Sequence, residues 1–274
     1  MDVFAAFIAP ALAGVFVGVM SGLLGVGGGT IMVPIFRLAF GMSPLASTAT
    51  SLFAIIPTSV SGVASHMRAK TCVPKLGVAL GIGGALTSPV GVWLASVSPG
   101  WLVIVVAALV VGLSAYKMFK KALKAPRVAL SCRTAHTADA AATGALADSP
   151  EPAVSNPIPA QPNLTRKQYL QGAGIGLVAG LASGYVGVGG GFIMVPMMLA
   201  ILSIPMSLAA GTSLIAIMIL AIPGVIEQAI LGNINYFSGI SIVVGTIPGA
   251  VIGARLVRVI PERQLRFAFG GFLL

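Results

Sequence analysis

The stretch Ser21-Gly22-Leu23-Leu24-Gly25-Val26-Gly27-Gly28-Gly29-Thr30-Ile31-Met32-Val33-Pro34 returns 162 residues later as Ser183-Gly184-Tyr185-Val186-Gly187-Val188-Gly189-Gly190-Gly191-Phe192-Ile193-Met194-Val195-Pro196, with 11 of 14 positions identical. Three consecutive glycines inside an apolar run work against a helix, because glycine loses the most backbone entropy on ordering and packs no side chain. In lipid the conflict is sharper, since every freed N–H and C=O needs a partner that hydrocarbon does not supply. Such a break is tolerated where protein buries it or where it lines a polar cavity. Its presence at matching places in two halves points to a ligand site that both halves share.

Composition puts this break in a membrane. Of 274 residues, 57% are hydrophobic and 8% charged, with a mean hydropathy of +1.02; soluble domains carry about 25% charged residues. The net charge of +10 would suggest nucleic acid in a soluble chain. Here the basic residues flank apolar segments, so they set orientation in the membrane, and a nucleic-acid partner is excluded on that ground. The start, Met1-Asp2-Val3-Phe4, lacks the positive region of a cleavable signal and reads as a retained first helix. Cys72 and Cys132 form neither a metal spacing nor a disulfide framework.

Along the chain, apolar segments of spanning length are expected from about Val3 to Leu24, Pro44 to Ala64, Pro74 to Val97 and Trp101 to Tyr116. A short helix from Thr30 to Phe40 separates the first two, with Thr30 as its cap, and Ser43 caps the next with Pro44 at its first position. The second half repeats this order from Thr165: a span to Val186, a short helix Phe192 to Ile201, a polar span Met206 to Ile230, and further segments. Gly62, Gly77, Gly83, Gly91 and Pro99 recur as Gly224, Gly239, Gly245, Gly253 and Pro261 at the same offset, without a gap. The expected organisation is a first repeat over 1–121, a disordered Ala/Pro-rich cytoplasmic linker over 122–164, and a second repeat over 165–274 whose last helix is short.

The loop carrying Arg68, Lys70 and Lys75 is basic, whereas its counterpart Gly232-Asn233-Ile234-Asn235-Tyr236 is uncharged. The turn Ser98-Pro99-Gly100 is uncharged, whereas its counterpart carries Arg255, Arg258, Arg263 and Arg266. Equivalent loops with opposite bias imply halves of opposite orientation, related by an axis in the membrane plane. Inversion needs an odd number of crossings per half, hence a re-entrant hairpin or an extra tilted crossing at the glycine break. Parallel four-plus-four repeats are the alternative.

Helix starts at the two breaks offer free N–H groups and the positive end of the helix dipole, a setting that suits anions. The candidate binding residues are therefore Gly27, Gly28, Gly29 and Thr30 with Gly189, Gly190, Gly191 and Phe192. The bland reading is that the glycines only let helices approach or bend. Thr50, Ser51, Thr212 and Ser213 could add hydroxyls, or could instead back-bond to their own helices. Glu227 is a candidate coupling group, set against a solvated interfacial glutamate. His66 and Arg68 could guide an anion from the cytoplasm, set against a loop that only fixes topology. The eleven methionines raise a soft-metal pathway, set against core filling.

The glycine motif from Gly22 to Pro34 with its repeat from Gly184 to Pro196, together with Thr50-Ser51-Leu52 and Thr212-Ser213-Leu214, resembles the TauE/SafE family of sulfite exporters. The resemblance covers both halves and spares the linker; the long linker and the short C-terminus depart from it. It implies an all-α polytopic permease of the cell inner membrane that moves a small sulfur-containing anion, such as sulfite or an organosulfonate, by alternating access. The alternatives are a soft-metal-ion permease and a non-transporting membrane assembly partner. No enzyme activity and no cofactor are expected. The expected partners are a small anion and the bilayer, with a proton as candidate coupling ion and a homo-oligomer as an open state.

Overall fold

The computed structural model describes residues 3–99, most of 101–116, 165–186 and 189–273. The expected linker lies outside the described residues, as do Gly187 and Val188 of the second break. The fold is all-helical. The first half contributes α1 (Val3–Leu24), α2 (Gly29–Leu38), α3 (Pro44–Arg68) and α4 (Pro74–Val97). The second contributes α5 (Arg166–Val186), α6 (Gly191–Ile201), α7 (Met206–Ile230), α8 (Tyr236–Leu256) and α9 (Glu262–Leu273). Among the described residues five helices are long and apolar enough to cross a membrane, namely α1, α3, α4, α7 and α8, and α2 and α6 are short apolar helices.

Small residues decide which helices touch. Gly14, Gly18 and Gly22 of α1 lie against the carbonyls of Ile242, Thr246 and Ala250 of α8, so closely that a Cβ at any of the three would collide with backbone. Gly176, Gly180 and Gly184 of α5 lie in the same way against Leu80, Gly84 and Ser88 of α4. Lipid tails are as apolar as leucine, so close backbone approach is what makes such pairs stick. Each contact in the second set stands 162 residues from its counterpart in the first, with the roles of the halves exchanged. Thr87 occupies the place matched by Gly249, and its hydroxyl donates to the carbonyl of Leu177 at 2.7 Å. Gly249 packs against the equivalent carbonyl, that of Val15.

The register of these contacts gives the direction of every long helix. Residue numbers rise together along α1 and α8, along α4 and α5, and along α4 and α7, where Gly77 meets Ile215 and Gly81 meets Ile219. They also rise together along α3 and α8, where Thr58 bonds Thr246 at 2.6 Å and Gly62 approaches Ala250. Along α3 and α7 they run oppositely, since His66 abuts Gly211 while Leu52 abuts Gly224. Helices α1, α3 and α8 therefore point one way, and α4, α5 and α7 the other. Helix α2 turns back from the end of α1 to the start of α3 and, at 10 residues, is too short to span by itself.

Charge follows direction. The last turns of α3 and α8 and the starts of α4, α5 and α9 gather at one end, bringing together Arg68, Lys70, Lys75, Arg166, Lys167, Arg255, Arg258, Arg263 and Arg266. The opposite end has the uncharged α7–α8 loop, Arg37 at the end of α2, and Glu227. Glu262 sits at the basic end, where it pairs with Arg266 at 2.6 Å and accepts the Met206 N–H at 3.2 Å.

Candidate functional site

Each break is held by backbone in the left-handed region. Gly28 (φ 76°) and Gly190 (φ 67°) are the N-caps of α2 and α6. Their carbonyls accept the first helical N–H groups, those of Ile31 and Met32 in one half and of Ile193 and Met194 in the other. The short helices thus begin at Gly29 and Gly191, one residue before the expected Thr30 and Phe192. Thr30 is not a cap; a left-handed glycine does that work without a side chain.

The two breaks meet. Gly191 sits so close to the first break that a Cβ on it would lie 2.9 Å from the Gly25 oxygen and 2.8 Å from the Val26 oxygen. Ile217 of α7 covers Gly27 and Gly191, and Ile55 of α3 covers Gly189. Gly25, Val26, Gly27, Gly28, Gly29, Gly189, Gly190, Gly191 and Phe192 are all buried. The two breaks therefore come together at Gly25–Gly27 of the first and Gly191 of the second.

The helix-borne hydroxyls divide by task. Thr50 accepts the N–H of Asn235 at 3.0 Å, and Thr212 accepts that of Val73 at 3.0 Å while donating to the Leu208 carbonyl at 2.6 Å. Each threonine ties down the loop of the opposite half, so these hydroxyls are committed to structure. The Ser213 hydroxyl is 2.6 Å from the Gly25 carbonyl, stapling α7 onto the first break. Ser51 is buried.

Three other hydroxyls at this depth have no partner among the described residues, those of Ser21, Thr30 and Ser59. Ser21 flanks Gly28, since a Cβ on that glycine would lie 3.7 Å from the serine Cβ. Thr30 is in the first turn of α2, where no bond is made among the described residues by the N–H groups of Gly29 and Thr30. That follows from helix geometry, which leaves the first N–H groups without intrahelical acceptors. Ser59 is one turn beyond Ile55 on α3 and is fully buried. In the second half the Gly191 N–H turns to the Gly189 carbonyl at 2.8 Å, and Phe192 replaces the threonine. Among the described residues, the unpartnered hydroxyls flanking a break, those of Ser21 and Thr30, belong to the first one. Neither Ser21 nor Ser59 is among the candidate binding residues named from the sequence, although Ser21 opens the repeated motif and Ser59 lies in the expected span from Pro44 to Ala64.

The remaining candidates do not join this centre. His66 is fully buried and is not at an entrance. Its Nε2 lies 2.9 Å from the Gly22 carbonyl, to which it must donate, so in the neutral ring Nδ1 accepts from the Thr71 hydroxyl at 2.8 Å. The ring clamps α3 to α1 and to the following loop. Arg68, at the end of α3, is exposed. Glu227 is exposed at the end of α7 remote from the basic residues, so it does not face the breaks. Met32 packs with Val17, Phe36, Ala54 and Ile242, whereas Met194 belongs to a separate core cluster around α6. Cys72 is buried in the α3–α4 loop, and burial pushes its thiol pKa up.

The family described as "Sulfite exporter TauE/SafE" matches residues 10–274. The "Probable membrane transporter protein YunE" of Bacillus subtilis (strain 168) is 26% identical over 259 residues, covering 92% of this chain and 89% of that protein. The "Probable membrane transporter protein YdhB" of the same organism is 27% identical over 252 residues, covering 92% and 90%. The "Probable membrane transporter protein YjnA" is 24% identical over 274 residues, covering 96% and 95%. No solved structure matches the chain.

Proposed function

Because the chain belongs to the TauE/SafE family of membrane transporters, we propose that it is a secondary permease of the inner membrane that carries a small oxyanion, sulfite or an organosulfonate, past the meeting point of its two glycine breaks. One observation carries this reading. The buried start of α2 presents the N–H groups of Gly29 and Thr30 and the hydroxyls of Thr30 and Ser21, all without partners among the described residues. A buried polar group left unsatisfied costs about 1–3 kcal/mol. A ligand that accepts from several donors at once recovers that cost. An oxyanion fits because each of its oxygens accepts more than one bond, and because the positive end of a helix dipole faces it. A soft-metal route would want Met32 and Met194 on one path, and they lie in different apolar clusters.

The opposite directions of α1 and α5, and the exchange of partners at the 162-residue offset, support inverted halves that alternate access to the shared centre. Ile55 and Ile217, which cover the breaks, are the side chains that must move. The basic end faces the cytoplasm on this reading. An inside-negative potential then drives the anion outward without a coupling ion, and the position of Glu227 away from the centre favours that export mode over proton-coupled uptake.

The test is flux of sulfite and sulfoacetate in proteoliposomes under an imposed potential, with and without a pH gradient. Ser21→Ala with Thr30→Val should lower flux at least tenfold, roughly the loss of one to two charge-assisted hydrogen bonds, while leaving the protein folded. Unchanged flux in that double variant would remove the α2 start as the binding site. Flux that requires the pH gradient would overturn the uncoupled mode.

A further inference from the structure

Between the last turns of α3 and α8, on the basic end and away from the glycine breaks, lies an open basin of about 380 Å³. Arg68, Arg255 and Arg258 line it together with Ser61, Ser65 and Val251. Among the described residues no acidic side chain lines it. Ser61 is two helical turns below Arg68, a depth of about 10 Å at the α-helical rise. Val60, Val244 and Ile247 of the same two helices are exposed apolar side chains nearer the middle of those helices. A guanidinium cluster at the membrane surface over an apolar track matches an anionic phospholipid, phosphate above and acyl chain below.

The fold does not require these arginines. At the 162-residue offset the equivalent pair, α7 and α4, packs by the same kind of contacts, with Ile230, Trp93 and Ser96 in place of Arg68, Arg255 and Arg258. The same helix geometry therefore holds without charge. Setting topology needs basic residues only somewhere at this end, and Lys70, Lys75, Arg166 and Lys167 already supply them. Convergence of three arginines on one basin is a further property. We infer that the α3–α8 basin is a binding site for the phosphodiester headgroup of an anionic phospholipid in the leaflet at the basic end.

The experiment is native mass spectrometry of the full chain in neutral detergent, titrated with phosphatidylglycerol or cardiolipin and, as reference, with phosphatidylcholine. The variant Arg68→Gln/Arg255→Gln/Arg258→Gln should lose affinity for the anionic lipids by roughly a hundredfold, each basic contact contributing about fivefold. The control Lys70→Gln/Lys75→Gln/Lys167→Gln should bind as the parent does. Equal losses in both triples would show diffuse surface attraction and overturn the site. Displacement of bound lipid by millimolar sulfite would identify a free-anion vestibule instead, which also overturns it. If the first triple does not give a monodisperse protein, Arg255→Gln alone decides on the same scale, with a drop of about fivefold expected and no drop fatal to the proposal.

Discussion

At Gly28 and Gly190 a left-handed backbone torsion starts each short helix. Both have φ near +70° and both cap a short helix. An L side chain there would cost about 1–2 kcal/mol in torsion alone. At Gly28 it would also press within 3.0 Å of a Val17 methyl. Gly28→Val is therefore expected to abolish flux while membrane insertion, read by protease protection, is retained; normal flux would show that the break has no part in transport. Lys70 makes the converse case. It sits at φ 55° in the turn that closes α3, where the matched residue of the other half is Gly232 at φ 70°. Lys70→Gly should raise the thermal midpoint, by the order of 0.5–1 kcal/mol once the greater freedom of the unfolded glycine is set against the relieved strain. Burial that pushes the Cys72 thiol up also leaves little thiolate at neutral pH. In a Cys132→Ser background, maleimide should label the folded protein slowly and the detergent-unfolded protein fast.

Helix pairs are the next level, and here glycine acts through space. The α1–α8 contact rests on backbone approach at Gly14, Gly18 and Gly22 from one side and at Gly245, Gly249 and Gly253 from the other. Gly18→Leu should push the pair apart and prevent a monodisperse protein. The same change at Gly174, where a Cβ meets nothing within 4 Å, should be tolerated, and comparable expression of both variants would deny the close approach its role. His66 fixes the same region by a polar link. His66→Ala would leave the buried Gly22 carbonyl without its donor and is expected to cost about 1–3 kcal/mol, measured as a lowered unfolding midpoint.

For the whole molecule the deciding feature is that all but one of the placed basic residues stand at one end. A reporter fused in the Asn233 loop should be found outside and one inserted in residues 122–164 inside. Both on one side would rule out halves of opposite orientation.

By itself, the sequence determined the membrane, five of the spans and the places of the breaks, because hydropathy, length and glycine runs are local properties that lipid reads directly. The spans from about Pro44 to Ala64 and from Met206 to Ile230 were visible for that reason, although the first continues to Arg68 and takes His66 out of the expected loop. The glycine motif pointed to the family as well, since it repeats in order. What a threonine or a histidine does was not local. Thr50 and Thr212 carry the same motif as their serine neighbours, yet their hydroxyls hold loops from the opposite half. His66 looked like a surface charge and became a clamp because α1 brings the Gly22 carbonyl to it. Only tertiary packing could leave Ser21 and Ser59 unpartnered, set Glu227 away from the centre and converge Arg68, Arg255 and Arg258, because each outcome depends on which helices lie side by side.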